Sequence, residues 1–241
     1  PSADYFADPG TYTFVGYLLL FEHIGLDYTL SAYASEGGNF GLFTSHDTIK
    51  RLNYKIYHEA ERLGVKWLIG GECGHMWRVM HQYMDTMNGP TDFLEVPRSP
   101  ITGTVFENAR STKMVHICEF TADLIRHNKI KLDPSRNDQY RVTFHDSCNP
   151  ARAMGLLEEP RYVLKNVCNN FFEMPENTIR ENTFCCAGGA GLGIRRDGVG
   201  LDEPAQHCQS EDGDGEDDQV ALGAFFGLGV HVTSSEDKKS R

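Results

Sequence analysis

Helical and extended patterns alternate along this chain, and cysteines follow three of the extended stretches; that order restricts the fold more than any other feature. TYTFVGYLLLFEHIG, residues 11–25, reads as a helix closed by Gly25, and LDYTLSAYA has the β-branched and aromatic alternation of a strand. In SHDTIKRLNYKIYHEAERLG, Ser45 or Asp47 is placed to cap a helix, Ile49, Leu52, Ile56 and Leu63 lie near helical spacing, and Gly64 stops it. VKWLIGG is a short buried strand, and ECGHMWRVMHQYMDTM opens a helix at its end. After the Pro-punctuated connection PTDFLEVPRSPITG comes the amphipathic helix VHICEFTADLIRHNKI. A second unit opens with the strand in YRVTFHDSCNPAR, continues to a helix around PRYVLKNVCNNFF, and its last extended piece, RENTFCC, runs into glycine. The alternation predicts an α/β fold with a mostly parallel sheet flanked by helices.

Cys73 follows VKWLIGG, Cys148 follows YRVTFHD, and Cys185–Cys186 follow RENTF. Loops at the carboxyl ends of parallel strands form the ligand crevice of open α/β sheets, so these four thiols are expected to converge. Adjacent cysteines rarely bridge to each other, because the small ring strains the peptide between them. Both can face one polynuclear metal centre if the backbone bends, and Gly188, Gly189, Gly191 and Gly193 allow that. The plainer reading is a pair of inert thiols at a strand end. Around Cys148, Ser147, Asn149 and nearby amides are placed to hydrogen-bond sulfur. At the start of a helix Cys73 would favour its thiolate. Cys118 and Cys168 fall on predicted helices and are read as core.

Composition removes several function classes. At 241 residues and 40 % hydrophobic content the chain can bury a core as one large domain or two small ones. No stretch approaches the roughly 20 apolar residues of a membrane-spanning helix, and YTFVGYLLLF stops at Glu22. The start, PSADYFADPG, is not a secretory signal. A formal net charge of −11 disfavours nucleic acid as a partner. Six of those acids lie in SEDGDGEDD, Ser210–Asp218, which reads as solvated and disordered. Seven irregularly spaced cysteines suit a reducing compartment rather than a disulfide framework. The GGAGLG spacing is not that of a nucleotide loop, and no Lys-Ser or Lys-Thr follows it.

Cys148, then 36 residues, then Cys185–Cys186 before a small residue and glycine resembles the CCG cysteine-rich domain of heterodisulfide-reductase catalytic subunits. Within that family, SEGGNFGLF, GGECGHMWRV, HICEFTADL, TFHDSCNPAR and TIRENTFCCAGGAG are similar, in the same order, to segments of DsrK-like iron–sulfur subunits from the membrane complexes of dissimilatory sulfur metabolism. The resemblance spans residues 1–193.

It implies a CCG-domain architecture and a noncubane 4Fe-4S cluster held by Cys148, Cys185 and Cys186, with Cys73 as the fourth candidate ligand. It implies an oxidoreductase that cleaves or forms a disulfide or trisulfide in two one-electron steps. A quinol-oxidising membrane subunit and other subunits of such a complex would be its partners, and a small DsrC-like protein its substrate. The site would be cytoplasmic and peripheral to the membrane. His75 and His145 would orient ligands or deliver protons to the leaving sulfur, against the reading of each as an ordinary hydrogen-bonding loop residue.

The chain departs from that family after Gly193. A further Cys-x-x-Cys is expected near residue 222, where QVALGAFFGLG stands, and the tandem ferredoxin motif is absent from the sequence. Residues 194–241 are therefore expected to be a non-homologous or disordered acidic tail, and the sequence to be a fragment. The alternative is a non-catalytic module that keeps the fold and binds zinc through a set such as Cys73, Cys148, Cys185 and His75.

Overall fold

The computed structural model describes residues 10–31, 45–71, 73–184 and 230–234. They fall into two compact units, one reaching Lys131 and the other starting at Leu132.

The first unit opens with α1 (Gly10–His23). Gly25, at φ +64°, turns the chain, and the Leu26 N–H reaches back to the Phe21 carbonyl at 2.9 Å, a Schellman-type closure. Helix α2 (His46–Leu63) is capped as its sequence predicts: Ser45 Oγ accepts from the Thr48 N–H, and Gly64 sits in the left-handed region at φ 62°. Its inward stripe includes Ile49, Ile56 and Ala60. Strand β1 (Leu68–Gly70) and helix α3 (Gly74–Asn88) follow, with Cys73 in the N-cap position.

Strand β2 (Met114–His116) lies parallel to β1, with Gly70 opposite His116, and leads directly into α4 (Ile117–Arg126). Periodicity alone assigns Val115–Ile130 to one helix. A short apolar run supports either state, and pairing with β1 decides for strand over its first residues. His116 then starts the helix through a reciprocal capping box: its Nδ1 accepts from the Cys118 N–H, and the Glu119 carboxylate accepts from the His116 N–H at 2.8 Å. Every residue of α4 from Ile117 to Ile125 is buried, so it is the core helix of the unit.

The second unit is built on β3 (Tyr140–Phe144). One edge of β3 meets the chain at residues 170–172, where Val142 donates to the Asn170 carbonyl and accepts from the Phe172 N–H. Its other partner is β4 (Val230–Ser234), which runs antiparallel to it. A π-helical turn, Cys148–Ala153, and helix α5 (Glu158–Val167) follow β3.

Among the described residues the strand pairing is mixed: β1 and β2 are parallel, as expected, while β3 and β4 are antiparallel, so helices accompany small sheets. Residues 230–234 form β4 along β3. Among the described residues no helix is long and apolar enough to cross a membrane.

Candidate functional site

In the first unit, the carboxyl ends of the parallel strands β1 and β2 bring Gly71 against the ring of His116. Cys73 is partly exposed and lines an apolar cleft of about 760 Å³, together with Phe21, Trp67, Met76, Trp77 and Met114. Its carbonyl accepts from the Trp77 N–H at 2.9 Å, which anchors the first turn of α3. His75, half-buried in that first turn, has its pKa lowered by burial and then by the nearby Arg78 charge, so it is neutral near pH 7.

His116 carries no motif that would mark it in the sequence. It is fully buried, its ring stands edge-on to Trp77 at 5.0 Å, and its Nε2 lies against Gly71 without reaching hydrogen-bond geometry. Burial drives its pKa from 6.5 down to about 3, against a weaker opposing pull from the Gly71 backbone. The folded state therefore keeps His116 neutral while the unfolded chain takes up a proton below about pH 6.5. Stability should thus fall as pH drops from 6.5 toward 3, with this residue contributing up to about 1.4 kcal/mol per pH unit. His116→Asn keeps an acceptor at the N-cap, so urea midpoints measured between about pH 6 and 4.5 should fall less steeply in the variant than in the parent chain. Equal slopes would show that His116 is not held neutral.

The second unit carries Cys148, at the start of the π-helical turn beyond β3. Its thiol is partly exposed, and the Asn149 side-chain amide donates to Sγ at 3.5 Å. His145, partly exposed, ends the stretch just after β3.

Between those two residues lies Asp146, fully buried and paired with the equally buried Arg161 of α5: Nη1 donates to Oδ1 at 2.7 Å and Nη2 to Oδ2 at 2.5 Å. Arg161 also donates through Nε to Glu173 at 2.9 Å and through Nη1 to the Leu157 carbonyl at 2.8 Å, and its guanidinium lies over the Phe144 ring. Burial opposes its charge, but these hydrogen bonds and the two carboxylates outweigh that and hold its pKa above the ordinary arginine range.

Asp146 also reaches the far end of the unit. Its Oδ2 accepts from the Arg180 N–H at 2.6 Å, and its carbonyl accepts from the Thr183 hydroxyl at 2.8 Å. Arg152, inside the Cys148 turn, donates to the Thr183 carbonyl. These bonds replace the strand expected for RENTF: Arg180–Asn182 is a single 3-10 turn, and Arg180 takes a left-handed φ of 54°. The Cys148 turn and the segment that enters Cys185–Cys186 are therefore tied together, 31 to 37 residues apart in sequence.

Cys185, Cys186 and Cys208 lie outside the described residues. Cys73 and Cys148 belong to different units. Among the described residues no three His, Cys, Asp or Glu side chains group closely enough to hold a metal ion. Cys118 and Cys168 are each 2 % exposed, as expected of core thiols. Burial raises the Cys168 pKa to about 11, which keeps it protonated and disfavours it as a thiolate ligand. Asp146 and Arg161 are not evident from sequence patterns; the one available signal is an arginine on the inward stripe of α5, beside Leu164 and Val163.

No family model matches the chain. No solved structure matches it either. Among curated proteins it is 55 % identical, over 209 residues, to the Hdr-like menaquinol oxidoreductase iron-sulfur subunit of Archaeoglobus profundus, an alignment that covers 80 % of this chain and 38 % of that protein. Identity to the Hdr-like menaquinol oxidoreductase iron-sulfur subunit 2 of Archaeoglobus fulgidus is 54 % with the same coverage. One polypeptide of the dihydromethanophenazine:CoB–CoM heterodisulfide reductase of Methanosarcina mazei is 41 % identical over 81 residues, 33 % of this chain and 19 % of that polypeptide. The chain is thus similar to proteins named as iron-sulfur subunits of Hdr-like menaquinol oxidoreductases, and spans 38 % of the length of those two Archaeoglobus proteins.

Proposed function

We propose that this chain forms the disulfide-handling part of a heterodisulfide-reductase-type iron–sulfur subunit. Cys148, Cys185 and Cys186 would hold a noncubane 4Fe-4S cluster, with Cys73 as fourth candidate ligand. The observation that carries the reading is a pair of hydrogen bonds, from the Thr183 hydroxyl to the Asp146 carbonyl and from Arg152 to the Thr183 carbonyl, which holds the Cys148 turn against the segment that enters the double cysteine. Similarity to the two archaeal menaquinol oxidoreductase subunits and to the Methanosarcina heterodisulfide reductase supports it independently.

The described donor fits such a group. Cys148 is accessible, and Asn149 supplies an N–H donor to its sulfur, which favours thiolate. Asp146, two residues before Cys148, is paired with the buried Arg161, which offsets its charge. When bound, the cluster supplies single electrons to or from a disulfide. In this reading the chain's own residues hold and orient the thiolates, while His75 and His145 are candidate proton carriers toward released sulfur.

The partners that follow are a membrane subunit exchanging electrons with a quinol and other subunits of that complex, on the cytoplasmic face. The DsrK-like motifs point to a DsrC-like protein disulfide or trisulfide as substrate.

Anaerobic reconstitution of the full chain with iron and sulfide tests the proposal. About four irons per chain are expected, with an EPR signal after oxidation, both lost in the Cys185→Ser/Cys186→Ser variant. A colourless protein that takes up zinc instead would replace this reading with that of a structural metal module.

A further inference from the structure

We infer that the apolar cleft of the first unit is a binding site for a flat, uncharged aromatic molecule bearing a ring carbonyl, with Trp77 as its hydrogen-bond donor. Every residue that forms it lies in the first unit, so the inference goes beyond the cluster reading and does not rest on the cysteine assignment.

Size and lining set the ligand class. About 760 Å³ is room for a molecule of several fused rings. Phe21, Tyr28, Trp67 and Trp77 supply aromatic surface, and the thioethers of Met76 and Met114 adapt to an irregular shape. The interior offers a ligand no unpaired charge. Its one buried carboxylate among the described lining residues, Glu59, is held by Arg62 at 2.8 Å, whereas Asp27, Lys66, Glu95 and Arg98, two of each sign, are exposed to solvent. An ion entering the cleft would lose hydration without gaining a partner.

One polar group of the lining lacks a partner. Trp77 is 4 % exposed, and its buried Nε1–H meets no acceptor. Buried donors are nearly always paired, because leaving one unmatched is more costly than a typical hydrogen bond is stabilising. The indole is also fixed in place: it packs against His81 at 4.9 Å and edge-on to His116 at 5.0 Å. Cδ1, the carbon bonded to Nε1, faces Gly70, 3.5 Å from where a Cβ would stand. Gly70 and Gly71 both line the cleft, so bare backbone borders this edge of the indole and leaves space for a flat ring. A ring carbonyl is the matching group, since its oxygen accepts a hydrogen bond, carries no charge and stays in the ring plane.

Equilibrium dialysis of the full chain against 9-fluorenone, and against fluorene, which has the same rings and no carbonyl, tests the site. The parent chain should bind fluorenone saturably. Trp77→Phe keeps an aromatic ring and removes the N–H; it should weaken fluorenone roughly three- to tenfold, the effect of one hydrogen bond, and leave fluorene within about twofold. Gly70→Ala adds a methyl at ordinary contact distance from Trp77 and Met114, so the chain should fold as the parent does and bind both ligands roughly threefold or more weakly. The site is overturned by a parent chain that binds no fluorenone, by a Gly70→Ala chain that binds both ligands as the parent does, or by a Trp77→Phe chain that melts with the parent and loses both ligands equally or neither. If Trp77→Phe melts well below the parent, Gly70→Ala alone decides.

Discussion

Asp146→Ala lowers the unfolding free energy of the chain by about 3–5 kcal/mol, read as a shift of the guanidinium midpoint by far-ultraviolet circular dichroism. The size follows from what the substitution strands. Arg161 is 1 % exposed and stays charged, so it loses both bonds of its bidentate pair and keeps only Glu173 and one carbonyl. The Arg180 N–H loses its acceptor as well, while its backbone remains in a conformation that costs about 1 kcal/mol or more for a residue with a side chain. The comparison variant is Glu173→Gln. Its carboxylate is 31 % exposed and also pairs with Arg161, and exposure limits its loss to about 1 kcal/mol. Equal effects of the two variants, or less than about 1 kcal/mol for Asp146→Ala, would show that the buried pair does not organise the second unit.

Gly71→Ala is the strongest expected perturbation of the first unit, about 2–6 kcal/mol. A Cβ there would lie 2.7 Å from His116 Nε2 and within 2.9 Å of two ring carbons, and Gly71 adopts a φ of +135° that other residues rarely reach. The ring has nowhere to go: it is fully buried, faces Trp77, and its Nδ1 accepts from the Cys118 N–H at the start of α4. Overpacking and backbone strain therefore add. Because Gly71 precedes Cys73 by two residues, the variant should also raise the rate at which Cys73 reacts with iodoacetamide. Unchanged stability would mean that the strand end is loose enough to give way.

Helices α1, α2 and α3 are legible in the sequence because each carries its own local signals. Gly25 and Gly64 take the left-handed conformations that end the first two, and Ser45 caps the second with its hydroxyl. Strand β2 is not legible, since Met114–His116 is apolar and short, and only the register with β1 distinguishes it from the first turn of α4. RENTF looks extended, but Asp146 bends it into a 3-10 turn through bonds made across more than 30 residues. Likewise, β3 is recognisable as a strand while its partners are not, because strand pairing is a non-local choice.

Local sequence suffices to say where α1 and α2 end and what caps the start of α2, and that Cys118 and Cys168 belong to the core. Those conclusions rest on spacing, capping chemistry and residue type, all of which act within a few positions along the chain. Tertiary packing was needed to show that Asp146, Arg161 and Thr183 join the Cys148 turn to the entry of the double cysteine, and that His116 stands buried against Gly71 at the end of β1. A buried charge has no pattern of its own in sequence: whether it is paired, and what it holds in place, depends on partners that folding brings from far away.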